Sequence, residues 1–454
     1  MEDGQTIKNV KNRPNVVYIN VDDLGWKDLG FMDEGYFETP HIDRFSKSGI
    51  TFTNAYASAA NCAPSRACLM TGQYSPRHGI YTVSPSARGK ADTRKLIPIK
   101  NIDSLKSATK TLADMFKIAG YTTGTFGKWH LGSDPLQQGF DVNVGGSLRG
   151  NPGKEGYFSP YKIDNIENGP EGEHLTDRLT TEAIRFLRQN KNNPFFLYLP
   201  FYSVHTPIMA KEDLIKKYRA KTKNPLNINP TYAAMVETMD DNVGKLLNEL
   251  DALGLTKNTI VVFTSDNGGI RSIAPQNPLR AGKGSYYEGG TRVPCIIRWP
   301  GMVDPGTRSD EPIINIDFFP TFQEILKTDF EGREFDGKSI LPVLEGGNMA
   351  ERPLFWHFPI YLQSYDRAKD DGRDSLFRTR PGSTVLFEGW KLHYYYEDQG
   401  IELYYLPDDP GERKNKAEEV PEKMEALMKK LKTWQAMVKA PIPTELNTDY
   451  MPKN

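Results

Sequence analysis

Four times before residue 270, a short apolar run ends abruptly on polar residues, and each of the three longer stretches between the runs carries an apolar stripe at helical spacing. Val16-Val17-Tyr18-Ile19-Asn20-Val21 ends on Asp22-Asp23, and Tyr121 to Phe126 ends on Gly127-Lys128-Trp129-His130. Phe195-Phe196-Leu197-Tyr198-Leu199 is followed by His205, and Thr259-Ile260-Val261-Val262-Phe263 leads to Asp266-Asn267. Such runs are too short and too uniformly apolar for surface strands, and they read as strands buried on both faces. The helical period shows in Leu112, Met115, Phe116 and Ala119, closed by Gly120. It recurs in Leu179, Ala183, Phe186 and Leu187, and again after Pro230 in Val236, Met239, Val243, Leu246 and Leu250, closed by Gly254. Strands alternating with helices predict an α/β fold with a mostly parallel sheet covered on both faces. In such sheets ligands bind outside the carboxyl ends of the strands, which is where the polar residues fall.

After about residue 345 the pattern changes. Trp356 to Asp374 is irregular, and residues 384–387, 391–396 and 402–406 read as short antiparallel strands joined by turns. A helix over about 421–438 would pack on them. The expected division is a catalytic domain over 1–350 and a smaller subdomain over 351–454, and residues 1–13 read as a polar lead-in. A chain of 454 residues has room for both.

Lys+Arg 57 against Asp+Glu 58 gives a net charge of -1, so no global field favours nucleic acid or an anionic membrane. No apolar run reaches membrane-spanning length. The start, Met1-Glu2-Asp3-Gly4-Gln5, is polar and has no signal-peptide core, which is compatible with a leader already removed. Cys62, Cys68 and Cys295 do not make a disulfide framework, although Cys68 and Cys295 remain able to pair.

The polar strand ends carry chemistry. Asp22, Asp23, Asp266 and Asn267 offer only oxygen donors. One such pair alone reads as a turn or helix cap, but two at strand ends of one sheet point to a metal, and oxygen ligation suits Ca²⁺ or Mg²⁺ over zinc. Residues 120–132 read Gly-Tyr-Thr-Thr-Gly-Thr-Phe-Gly-Lys-Trp-His-Leu-Gly. There Lys128 is a compact positive charge and His130 a proton acceptor near neutral pH. His205 precedes Thr206-Pro207, a pattern many loop histidines share. Lys283 lies in a Gly-rich loop, Gly282-Lys283-Gly284 followed by Glu288-Gly289-Gly290, without a full Walker pattern. Finally, residues 61–72 read Asn-Cys-Ala-Pro-Ser-Arg-Ala-Cys-Leu-Met-Thr-Gly.

Cys62-x-Pro64-Ser65-Arg66 with Thr71-Gly72, the 120–132 segment, His205 and the Lys283 loop occur in the order found in type I sulfatases, which this chain resembles over nearly all its length. One position departs: His41, in Thr39-Pro40-His41-Ile42-Asp43, stands where the family commonly has Asn. The resemblance implies an alkaline-phosphatase-like sandwich with a small C-terminal sheet domain. It implies that Cys62 is oxidised to formylglycine by a formylglycine-generating or anaerobic sulfatase-maturating enzyme. It further implies Ca²⁺ held by Asp22, Asp23, Asp266, Asn267 and position 62, with Arg66, Lys128, His130, His205 and Lys283 as catalytic residues.

The alcohol is less legible. Its readers are expected in residues 81–100 (with Arg88 and Arg94), 147–165 and 353–383; in the last, Trp356, His357 and Arg378 are the expected sugar contacts, beside Phe358, Tyr361 and Arg380. Trp356 and Phe358 equally suit a seal between domains. The chain is similar to bacterial sulfatases acting on polysaccharide-derived saccharides, so a sulfated saccharide and a periplasmic or secreted location are expected. A broad arylsulfatase and a formylglycine-dependent phosphonate monoester hydrolase or phosphodiesterase are the alternatives.

Overall fold

In the computed structural model, residues 13–452 are described except 33–34, 225, 329 and 331–332. The expected lead-in therefore lies almost wholly outside the described residues. The first seven-residue apolar run forms β1 (Asn15–Val21), the centre of an eight-stranded sheet. The other members are β2 (Ile50–Phe52), β3 (Thr122–Phe126), β4 (Val142–Val144), β5 (Phe195–Pro200), β6 (Thr259–Ser265), β7 (Cys295–Arg298) and β8 (Thr307–Ser309). Their order is β4-β3-β5-β1-β6-β7-β2-β8, and every neighbouring pair is parallel except those made by β7. Val17 faces Leu197 on one side and Val261 on the other.

The uniform apolarity of these strands follows from their double burial. Val17, Ile19, Leu197, Leu199, Val261 and Phe263 join one core, and Val16, Tyr18, Phe196, Tyr198, Ile260 and Val262 join the other. Alternate residues thus feed opposite faces. The first core is covered by two helices whose predicted apolar stripes are all buried, lying within Leu175–Asn190 and Pro230–Ala252. The second is covered by Leu112–Ile118, where Thr111 and Asp114 form a capping box, and by the helix Cys62–Thr71. In chain order these four helices are α1 (Cys62–Thr71), α2 (Leu112–Ile118), α3 (Leu175–Asn190) and α4 (Pro230–Ala252).

Beyond the large sheet, β9 (Leu354–Phe358) leads into the short hairpin β10 (Leu362–Gln363) and β11 (Phe377–Thr379). Then come β12 (Gly382–Phe387), β13 (Trp390–Tyr395), β14 (Ile401–Tyr405) and the helix α5 (Pro421–Met437). Strands β9-β12-β13-β14 form an antiparallel sheet, on which α5 lays Leu427, Leu431 and Trp434. The indole of Trp434 stacks on Phe355 at 4.6 Å. A mostly parallel sheet wrapped by helices, with a C-terminal antiparallel sheet, is the architecture expected above.

The two sheets are joined by a buried polar knot. Lys391 Nζ on β13 lies 2.7 Å from Glu288 and 3.6 Å from Glu412, and His393 Nε2 lies 2.7 Å from Glu412. All four side chains are fully buried. Glu288 belongs to the segment carrying Lys283, so the C-terminal sheet helps to hold that loop in place. Cys68 and Cys295 are separate free thiols, both buried, and do not pair. Among the described residues no helix is long and apolar enough to cross a membrane.

Candidate active site

At the carboxyl ends of β1, β3, β5 and β6 the sheet delivers Asp22 and Asp23, Lys128 and His130, His205, and Asp266 and Asn267 to one place. Asp23 and His130 leave their strands with φ of 62° and 64°, the left-handed region that side chains rarely adopt. Lys128 N donates to Pro200 O at 2.7 Å. This close approach requires Gly127 (φ 130°), where a Cβ would sit 2.1 Å from the same carbonyl. Cys62 opens α1, all ten residues of which are buried, and Gly72 (φ 65°) closes it. The helix is pinned by Asn315, whose Nδ2 donates to Ser65 O and Ser65 Oγ at 3.0 and 2.9 Å.

The charges pair closely. Lys128 Nζ is 2.5 Å from Asp22 Oδ2, Lys283 Nζ 2.6 Å from Asp23 Oδ2, and Arg66 Nε 2.8 Å from Asp266 Oδ2. Arg66 Nη1 also donates to Lys128 O at 2.7 Å. Asn267 Nδ2 donates to Asp23 Oδ1 at 2.8 Å, Cys62 Sγ is 3.9 Å from the same oxygen, and His205 Nε2 is 3.8 Å from Asp23 Oδ2. The structure thus brings together every residue expected at the catalytic and metal positions.

Burial raises Asp22 above the usual carboxylate range; Lys128 opposes this, while Asp266 and Asp23 add to it. Asp23 goes the other way: burial would raise it, but Lys283, His205 and Lys128 outweigh that and hold it low. Burial, with Asp22 beside it, pushes the Cys62 thiol up to about 12, so an unmodified Cys62 is a neutral thiol and a poor nucleophile. Burial and then Lys283 push His205 down to about 3, and burial with Lys128 and Arg66 lowers His130 well below its ordinary value. Both imidazoles are therefore neutral at pH 7.

The donor set fits a hard cation. One oxygen each of Asp22, Asp23 and Asp266 lies within 4.8 Å of the others. Asp22 Oδ1 and Asn267 Oδ1 are buried without a hydrogen-bond partner among the described residues. Enclosed oxygens without donors are costly, and an oxygen-preferring divalent ion would satisfy them.

The expected sugar contacts fare differently. Trp356 is 0% exposed, and its Nε1 donates to Ala57 O at 2.8 Å while its ring meets Tyr56 edge-on. His357 is buried between Ser383 Oγ (2.8 Å) and Pro441 O (3.0 Å). The expectation that these two contact a sugar is therefore corrected: β9 is buried on both faces, and their polar atoms are already bonded within the protein. Phe358 is equally buried, against Tyr286 at 3.8 Å. Arg380 is held by Asp374 and Glu397, and Arg94 Nη1 bonds to the carbonyl of Ala87. Arg378 reaches the site, since its Nη1 donates to Lys283 O at 2.7 Å. His41 contacts Arg44 and Asp241, away from the pocket. Sequence reasoning missed Asn315, a lone asparagine with no local signal, and Tyr365, whose ring lies under Arg378.

Comparison with known proteins places the chain among sulfatases. The sulfatase family model matches residues 14–328, and the model for the N-sulphoglucosamine sulphohydrolase C-terminal region matches residues 282–439. A sulfatase of Formosa agariphila is 33% identical, spanning 96% of this chain and 91% of that protein. The N-acetylgalactosamine-6-sulfatase of Rattus norvegicus is 31% identical over 88% of this chain and 80% of that protein. The solved structure of Ps i-CgsB in complex with k-i-k-neocarrahexaose is similar with a TM-score of 0.76 and 28% identity, covering 97% of this chain and 94% of that one.

Proposed function

The chain belongs to the sulfatase family and is a sulfuric ester hydrolase, and from that premise we propose that it removes sulfate from a carbohydrate, a saccharide derived from a sulfated polysaccharide. The observation that carries the reading is the meeting of Cys62 with Lys128, Lys283 and Arg66 over three buried carboxylates. The relatives named above support the sugar: one acts on N-acetylgalactosamine 6-sulfate by name, and another is seen with k-i-k-neocarrahexaose.

In this reading a maturating enzyme, formylglycine-generating or of the anaerobic type, oxidises Cys62. Asp22, Asp23, Asp266 and Asn267, with position 62, hold Ca²⁺. Bound there, the two groups would supply a hydrated aldehyde nucleophile of lowered pKa and a counter-charge for the sulfate. Lys128 and Lys283 face the sulfate oxygens and neutralise the charge that spreads onto them. Arg66, fixed by Asp266 and the Lys128 carbonyl, orients position 62. His205 is neutral in the free protein; an arriving anion favours its protonated form, which then donates to the leaving alcohol. His130, whose Nδ1 is enclosed and without a partner among the described residues, accepts a proton as the cycle closes. Residues 1–350 form the catalytic unit in this reading, with 351–454 as its C-terminal subdomain, and the protein works in the periplasm or outside the cell.

The test is sulfate release by protein co-produced with a formylglycine-generating enzyme, on a panel of sulfated mono- and oligosaccharides beside an aryl sulfate and a phosphodiester. Release from a sugar of one regiochemistry is expected. Cleavage of the aryl sulfate or the diester alone overturns the carbohydrate assignment.

A further inference from the structure

Around Cys62 the cations Lys128, Lys283 and Arg66 each meet a carboxylate. Two guanidinium groups beside them do not. Arg378 is 4% exposed; its Nε donates to Gln363 O at 3.0 Å and its Nη1 to Lys283 O at 2.7 Å. Its Nη2 has no hydrogen-bond partner among the described residues. The guanidinium lies 3.5 Å over the ring of Tyr365, which is 51% exposed. Arg88 gives its Nη2 to the carbonyls of Val83 and Ser84, at 2.6 and 3.2 Å. Its Nε and Nη1 are unpartnered, and neither arginine meets a carboxylate, among the described residues.

The fold builds this arrangement deliberately. Arg378 approaches the Lys283 carbonyl across Gly284 (φ 84°), where a Cβ would lie 2.4 Å from its Nη1. Ala87 bridges to Tyr361, next to β10, and β10 pairs with β11, which carries Arg378. The segment holding Arg88 and the strand holding Arg378 therefore flank the same short strand. Burial lowers Arg88, and its charge is felt by Tyr365, Arg378 and Cys62, which puts these groups in one electrostatic neighbourhood.

A buried guanidinium and a partly buried one, like in charge and without counter-ions among the described residues, are unfavourable unless a ligand completes them. A sulfate monoester brings a single negative charge, and Lys128 and Lys283 already face it. We propose that Arg88 and Arg378 bind a second anionic group of the substrate, a carboxylate or a further sulfate ester on the same or the adjoining sugar. Arg378 is held flat by Tyr365 for this purpose, and the pocket selects doubly anionic over singly anionic saccharides. The proposal rests on the saccharide reading above and specifies its substrate class.

The test compares substrates that differ by one anion: N-acetylgalactosamine 6-sulfate against its 4,6-disulfate, and glucosamine 6-sulfate against glucosamine 2-N,6-O-disulfate. Sulfate release is measured with the matured full-length protein, and binding is measured by calorimetry with Cys62→Ala protein, each at low and high salt. For at least one pair the doubly charged member should be favoured about tenfold or more, and the preference should shrink in high salt. In Arg88→Gln and in Arg378→Gln the ratio should fall toward one, with Arg88→Lys keeping part of it. Sulfate release without preference in any pair overturns the proposal and leaves the hydrolase reading standing. Preferential binding without release from any sugar keeps the arginines' role and removes the saccharide-hydrolase reading. Neither release nor preference overturns both.

Discussion

Replacing Trp356 by phenylalanine separates a sugar contact from an internal strut. The indole is fully buried, donates to Ala57 O at 2.8 Å and meets the Tyr56 ring at 5.6 Å. A phenyl ring leaves about 40 Å³ unfilled, which costs about 1 kcal/mol. It also strips the Ala57 carbonyl of its donor inside the protein, for about 1–3 kcal/mol more. The expected destabilisation is about 2–4 kcal/mol. A chain of 454 residues has an unfolding entropy near 1 kcal/mol per degree, so the melting midpoint should fall by about 2–4 °C. Scanning calorimetry measures the midpoint, and initial rates of sulfate release on whichever ester the protein cleaves measure the site. KM should stay within about twofold of the parent, because no polar atom of the indole is free to reach a ligand. An unchanged midpoint together with a tenfold higher KM would refute the reasoning and return Trp356 to the substrate.

Three further outcomes follow from the same geometry. Cys62→Ser, with a peptide mass confirming serine, should stop after a single turnover, since a lone hydroxyl has no second oxygen through which to release sulfate; sustained turnover at the parental rate would contradict the formylglycine reading. Chelation should lower the melting midpoint, and Ca²⁺ at a hundred times its dissociation constant should restore about 2.7 kcal/mol. Zinc should restore little, and Asp266→Asn should abolish the response. Burial pushes His357 down to about 4, below its ordinary value near 6.5. Below pH 6.5 the unfolded chain therefore binds a proton that the folded one refuses, so stability falls as pH drops from 7 and levels off near 4. Urea midpoints for the parent and His357→Gln at pH 7 and 5 should show the variant losing about 2 kcal/mol less across that interval.

The parts of the site that were legible in the sequence share one property: their meaning is local. A buried strand followed at once by Asp22-Asp23 or Asp266-Asn267 tells both where the chain turns and what it offers there, and the segment around Lys128 and His130 carries its own turn glycines. What was not legible depends on which side of an element faces inward. Trp356 and His357 look like surface aromatics in an irregular stretch, and only the pairing of β9 with β12, roofed by α5, shows that they are enclosed. Arg378 does lie beside the Lys283 loop, and the feature that brings it there is not legible in the sequence: the glycine at 284 lets it reach the Lys283 carbonyl. Asn315 was invisible because its partner lies 250 residues away.

That long-range bond also sets a clock. On the formylglycine reading a maturating enzyme needs access to Cys62, whereas the finished protein holds all ten residues of α1 buried and helical. If Cys62 is oxidised as proposed, modification has to precede the folding of this segment, because folding first closes it. The lock on Ser65 waits for Asn315, so at about 5–20 residues per second the ribosome keeps the segment open for roughly 10–50 s after Ser65 emerges. On that reading, a chain still unmodified when the interval ends would fold with Cys62 as a buried thiol. If maturation works this way, the yield of active protein depends on synthesis speed relative to the supply of maturating enzyme, and slowing translation should raise it without altering a single contact in the folded state.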